Sequence, residues 1–141
     1  MMQIKYIGCF FDPEALRQIP KAGRTGPLYR TITHPHVTFA YRPQKVPVSM
    51  FGAPITVRVV GYGCDGTNEA LQVEFIDLPE ELLALAADIP IPHITLSVAE
   101  NGKPFDSRFL NYHPTETYLL KGIFGGMALD GTLLLKMNEP D

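Results

Sequence analysis

The sequence predicts an α+β protein, a duplicated two-lobed fold of antiparallel sheets with flanking helices around a central cleft. Three observations carry this expectation. The chain has 141 residues, 45% of them hydrophobic, which suits one compact domain with a real core. Two strand-like segments share one pattern, Pro35-His36-Val37-Thr38-Phe39 and Pro92-His93-Ile94-Thr95-Leu96. Two turns, Asp65-Gly66-Thr67 and Asp130-Gly131-Thr132, stand 53 residues after Asp12 and Asp77, and each of those aspartates precedes a helix-like stretch.

Each element follows from local chemistry. Residues 3–11 (QIKYIGCFF) are rich in β-branched and aromatic side chains and read as a buried strand. Asp12 and Pro13 supply an N-cap and a first helical position for a short helix over 13–19. A Gly- and Pro-bearing loop over 21–30 leads to a strand at 36–42. Segments 55–64 and 69–76 flank Asp65-Gly66, a common hairpin-turn dipeptide, and so form a β-hairpin. The order then repeats. A helix is expected over 79–89, with Leu82, Leu83, Leu85, Ala86 and Ile89 on one face. A strand over 93–99 follows, and segments 118–129 and 132–137 flank Asp130-Gly131. The reading is a single domain, 1–141, made of two β-α-β-β units, 3–67 and 70–137, related by an approximate twofold. The intervals inside the units differ, since Asp12 to His36 is 24 residues and Asp77 to His93 is 16, so the first unit has the longer helix-to-strand loop.

Side chains alternate across a strand, so His36 and Thr38 point to one face while Val37 and Phe39 point to the other. The same holds for His93 and Thr95 against Ile94 and Leu96. Equivalent strands facing each other across a twofold would bring two imidazoles and two hydroxyls to one cleft. Histidine both donates and accepts protons near neutrality. Around a phosphorus atom one imidazole would take a proton from water and the other would give one to the departing ribose oxygen, while Thr38 and Thr95 hold the non-bridging oxygens. The plain alternative is that both histidines are ordinary strand residues and that Thr is present because it favours strands.

HVTF (36–39) and HITL (93–96), with the strand and helix order around them, resemble the 2H phosphoesterase superfamily. That family is defined by two His-x-Thr/Ser-hydrophobic motifs on strands of a duplicated, two-lobed fold. Residues 93–107 (HITLSVAENGKPFDS) are also similar to the second motif region of cyclic phosphodiesterase domains in fungal-type tRNA ligases. The resemblance implies hydrolysis of a 2′,3′-cyclic phosphate or a related cyclic or oligonucleotide phosphodiester without metal or cofactor, with His36 and His93 catalytic and Thr38 and Thr95 binding phosphate. The implied partner is a nucleotide or an RNA end. The separation of 57 positions from His36 to His93 makes the chain compact for that family, which bears on its accessory substrate loops. Rival readings are a hydrolase of a cyclic-nucleotide signal or of an ADP-ribose cyclic phosphate, and a module that grips a nucleotide or RNA end without turnover. A pure binder has no need of a matched acid and base.

Charge and the remaining polar residues complete the picture. Ala15 to Cys64 contains no Asp or Glu but seven Lys or Arg, and the rest of the chain carries five against all fifteen acids, which suits one face to an anionic ligand. Arg42, in phase with His36 and Thr38, and Ser97, in phase with His93 and Thr95, are expected to line the cleft, whereas Tyr41 is out of phase and is expected to pack. Lys21, Arg24 and Arg30 are candidates for a substrate's other phosphates or are solvated loop charges, and Tyr29 is a candidate to stack on a base. His34 shares the face of His36, and a His-x-His pair can bind a metal. Only His113 remains as a further histidine and Ile91 stands at the equivalent place in the second unit, so His34 is expected at the cleft rim and no metal is assigned. Cys9 and Cys64 show no metal-ligand spacing and are expected to be buried free thiols. No segment reads as a membrane span, and the N-terminus reads as a strand rather than a secretory signal, so a cytoplasmic location is the default. A monomer is expected, although nothing in the sequence sets the oligomeric state.

Overall fold

A computed structural model of the chain describes residues 3–20 and 27–136. Eight strands form one sheet in which every pairing is antiparallel: β1 Ile4–Phe10, β2 Arg30–Thr31, β3 His36–Tyr41, β4 Pro54–Cys64, β5 Asn68–Asp77, β6 His93–Val98, β7 His113–Ala128 and β8 Leu133–Leu134. Two short helices accompany them, α1 Pro13–Arg17 and α2 Leu83–Ala87. The fold is therefore α+β and mostly sheet. No helix among the described residues is long and apolar enough to cross a membrane.

The sheet order is β2-β6-β5-β4-β7-β1-β3, with β8 added to β7. Outward from the central β4–β7 pair, the order β5, β6 on one side mirrors β1, β3 on the other. The short strands β2 and β8 break that correspondence. β3 and β6, separated in the sheet by four strands, nevertheless approach each other within contact distance, so the sheet curls until its two halves face one another. Both hairpin turns form as their Asp-Gly dipeptides require. Gly66 and Gly131 take φ of +102° and +91°, and the Asp65 and Asp130 carboxylates each accept the backbone N–H two residues on.

Asp12 caps α1 by accepting from the Glu14 backbone N–H at 3.0 Å, and the helix buries Leu16. The expected helix over 79–89 is instead a 3₁₀ turn at Glu80–Leu82 running into α2, and the change of pitch leaves Leu83 51% exposed while Leu82 is fully buried. Ile7, Cys9, Leu16, Val37, Phe39, Leu82, Ile94, Leu96 and Phe124 share one core. Thus the apolar residues of both His-x-Thr strands anchor inward, and the polar ones face away. Cys64, expected to be buried, lies exposed at the end of β4, whereas Cys9 is buried.

A β-bulge sets the course of β3. Gly8 of β1 pairs with Thr38 and Ile7 with Ala40, so Phe39 is an extra residue. At Gly8 the strands approach so closely that a Cβ would stand 2.2 Å from the Val37 carbonyl oxygen. Gly8→Ala is expected to destabilise the fold by about 3 kcal/mol, read as a lowered urea midpoint; an unchanged midpoint would mean that the bulge absorbs the methyl group.

Candidate active site

β3 and β6 present their polar faces to one cleft of about 480 Å³, and His36, Thr38, His93 and Thr95 all line it. The two imidazoles are held in the same way. His36 Nδ1 lies 2.8 Å from the His34 carbonyl oxygen, and His93 Nδ1 lies 2.9 Å from the Ile91 carbonyl oxygen. A carbonyl only accepts, so Nδ1 carries the proton in each neutral ring and Nε2 remains as the basic nitrogen available to the cleft. This gives His34 a place. What its position supplies is a backbone carbonyl, which is why Ile91 serves equally in the other half.

Aromatic rings confine the histidines. Tyr6 stacks on His36 with ring centroids 4.5 Å apart, Phe10 lies 5.3 Å from the same ring, and Tyr112 stands 6.4 Å from His93. Burial among such rings disfavours the charged imidazolium. It pushes His36 down to about 4, helped by the nearby His93 and His34 and opposed by the bond to the His34 carbonyl. Burial lowers His93 as well, against the bond to the Ile91 carbonyl. Tyr6 is pushed up to about 12 by burial and by its neighbour Tyr41, so it stays a phenol. Both imidazoles therefore favour the neutral form at pH 7.

Several sequence expectations are corrected here. Tyr41 lines the cleft and Arg42 does not, because the extra residue at Phe39 puts Phe39 and Ala40 on the core side together and reverses the alternation beyond Phe39. Arg42 is exposed just past the end of β3 at φ 43°, with its N–H bonded to the Lys5 carbonyl. Ser97 is fully buried outside the cleft. Its hydroxyl donates to the buried Glu69 carboxylate at 2.7 Å and accepts from the Tyr29 N–H at 3.2 Å. Arg30 is exposed on β2, opposite Val98, and neither it nor Tyr29 reaches the cleft. Lys21 and Arg24 lie outside the described residues.

The cations that do line the cleft are Lys5 and Arg108, both from outside the acid-free stretch, and no carboxylate lines it among the described residues. Arg108 and its neighbour Phe109, 68% exposed, arrive on a 3₁₀ segment, Pro104–Phe109, that no sequence pattern announced. Ile91 is a further apolar wall. Tyr6 was legible in principle, since alternation along β1 puts Tyr6, Gly8 and Phe10 on one face, but that signal needs the pairing with β3 to become useful. No group of three or more His, Cys, Asp or Glu side chains comes together to hold a metal among the described residues.

A scan of the chain against protein-family models finds no match, and a search of curated proteins finds no significant match either. What the fold and site define by themselves is an α+β protein whose curled antiparallel sheet holds a paired-histidine, paired-threonine cleft with cationic and aromatic walls.

Proposed function

We propose that the protein is a metal-independent phosphodiesterase of the 2H type, built from two duplicated lobes, that hydrolyses a 2′,3′-cyclic phosphate or a related cyclic or oligonucleotide phosphodiester. The observation that carries this reading is the matched tethering of His36 and His93 through Nδ1 to a carbonyl two residues back, with both rings lining one cleft. Two equivalent Nε2 atoms then stand ready to share one proton. When an anionic phosphodiester enters, its charge stabilises an imidazolium, and one ring becomes protonated while the other stays neutral. The neutral ring takes the proton of the attacking water, and the imidazolium gives its proton to the departing ribose oxygen. Thr38 and Thr95 donate to the non-bridging oxygens, and Lys5 and Arg108 offset the phosphate charge. The strand-order correspondence about β4–β7 supports the duplicated reading, since it relates β1-α1-β3-β4 to β5-α2-β6-β7.

The test is a panel of cyclic mononucleotides, cyclic dinucleotides and RNA with a 2′,3′-cyclic end, with the products identified by phosphorus NMR. Conversion of one class to a phosphomonoester, or to a linear phosphodiester from a cyclic dinucleotide, supports the reading. Binding of these compounds without turnover would make the protein a nucleotide- or RNA-end-binding module, a reading favoured by the burial that holds both imidazoles in the neutral form. Excess EDTA is expected to leave the rate unchanged; loss of activity restored by a divalent ion would put a metal in the mechanism.

A further inference from the structure

Thr38 and Thr95 hold matching places on their strands but have unlike surroundings. Thr95 Oγ1 lies 2.9 Å from Ser107 Oγ and 3.4 Å from the Pro104 carbonyl oxygen. Among the described residues the Thr38 side chain makes no hydrogen bond. The difference comes from the 3₁₀ segment Pro104–Phe109, which packs against β6, whereas the 3₁₀ turn that follows β3, Val48–Met50, packs against β7.

Hydroxyl protons settle where every buried polar group is satisfied, and here that condition decides their direction. Asn68 is fully buried, and its Nδ2 lies 2.7 Å from the Lys103 carbonyl oxygen and 3.0 Å from Ser107 Oγ. The Lys103 carbonyl only accepts, so the amide nitrogen must face it, and Oδ1 is left to accept from the Thr67 hydroxyl at 2.9 Å. Asn68 therefore donates to Ser107. Ser107 is itself fully buried and needs an acceptor for its own proton, and among the described residues the oxygen in reach is Thr95 Oγ1. With Ser107 donating to Thr95, the proton of Thr95 has only the long contact to the Pro104 carbonyl to hold it inside the protein.

We infer that Asn68 and Ser107 are positioning residues: the one-way chain Asn68 to Ser107 to Thr95 turns the Thr95 hydroxyl into a donor aimed at an anionic phosphoryl oxygen in the cleft. This rests on the phosphodiesterase reading for its chemistry. The same cluster fixes the cleft wall, because the Tyr112 hydroxyl donates to the Ser107 carbonyl at 2.8 Å and so clamps the segment that carries Arg108 and Phe109. The two halves of the site then have different tasks, with a pre-aimed hydroxyl on β6 and a freely rotating one on β3.

The test is a double-mutant cycle of Ser107→Ala and Thr95→Val on the full chain, read as kcat and KM on the best substrate of the panel, with thermal melts to confirm folding. Ser107→Ala is expected to lower kcat about tenfold with little change in KM, since it misdirects a donor to the transition state. In the Thr95→Val background it is expected to have no further effect. Equal losses with and without the Thr95 hydroxyl, or a lowered melting temperature at unchanged kcat, would overturn the inference. Should Ser107→Ala not fold, Ser107→Cys, a near-isosteric weaker donor, is read in the same cycle. If the parent hydrolyses no compound in the panel, it is the phosphodiesterase reading that fails. The inference is then decided with inorganic phosphate, titrated against the His36 and His93 ring protons by NMR. About tenfold weaker binding in Ser107→Ala, absent in the Thr95→Val background, supports it; equal affinity, or no phosphate binding by the parent, overturns it.

Discussion

His36→Ala and His93→Ala are each expected to lower hydrolysis of the cyclic phosphodiester by at least about 10²-fold while the protein stays folded. Each imidazole lies on the cleft face of its strand, and the neighbours Val37, Phe39, Ile94 and Leu96 hold the strands in the core without it. The His36 variant forfeits the stack on Tyr6 as well, so its melting temperature should fall more than that of the His93 variant, whose nearest aromatic ring among the described residues, Tyr112, is 6.4 Å away. With the rings sharing one proton as proposed, the double variant is expected to lose little more than either single one. Steady-state rates and melts of the three proteins check this. Parent-like rates in both single variants would remove the histidines from the chemistry altogether.

The second large effect is on pH dependence. In the free protein His36 is lowered to about 4 and His93 is lowered from its ordinary 6.5. A mechanism needing one proton on the pair works between its two apparent pKa values, so kcat/KM should trace a bell centred on the acid side of 6.5. The kcat profile belongs to the substrate complex, where the phosphate charge stabilises an imidazolium, and its optimum is expected nearer neutrality. A kcat/KM profile still rising through about pH 8 would contradict the pair as acid and base. Stability carries a related signature. The unfolded chain protonates this histidine near 6.5 while the folded chain resists protonation down to about 4, so lowering the pH through that window favours unfolding. The loss attributable to His36 is about 3 kcal/mol at the acid end, and His36→Gln should remove it from a denaturant series between those two pH values.

Much of this site was legible in the residues, and the parts that were not have identifiable causes. Period-two alternation placed His36 with Thr38 and His93 with Thr95 because both strands keep that period across the motif. It failed for Tyr41 and Arg42 because the bulge at Phe39 inserts one residue, and a bulge is a property of two strands whose pattern one strand does not carry. It failed for Ser97 for the same reason. Ala70 pairs with Thr95 and Glu69 with Ser97, so Leu96 is an extra residue on β6, and Ser97 turns from the cleft into a buried polar cluster with Glu69 beside β2. The helix over 79–89 was placed correctly in the chain, yet its 3₁₀ opening sent Leu83 outward. Cys64 was misplaced because the end of β4 runs out into solvent.

The sequence by itself determined which groups the cleft gathers: two imidazoles and two hydroxyls, with the apolar anchors behind them and the two Asp-Gly turns that close the hairpins. Those features are local, since side-chain alternation and turn conformation depend on near neighbours. Only the tertiary structure decided what surrounds these groups. The curl of the sheet brings β3 to β6, the carbonyls of His34 and Ile91 select the tautomer, and Lys5, Arg108, Phe109 and Ser107 reach the cleft from segments with no motif of their own. Such groups meet through contacts distant in the chain, whose pairing energy is spread over the whole core rather than written in any one stretch.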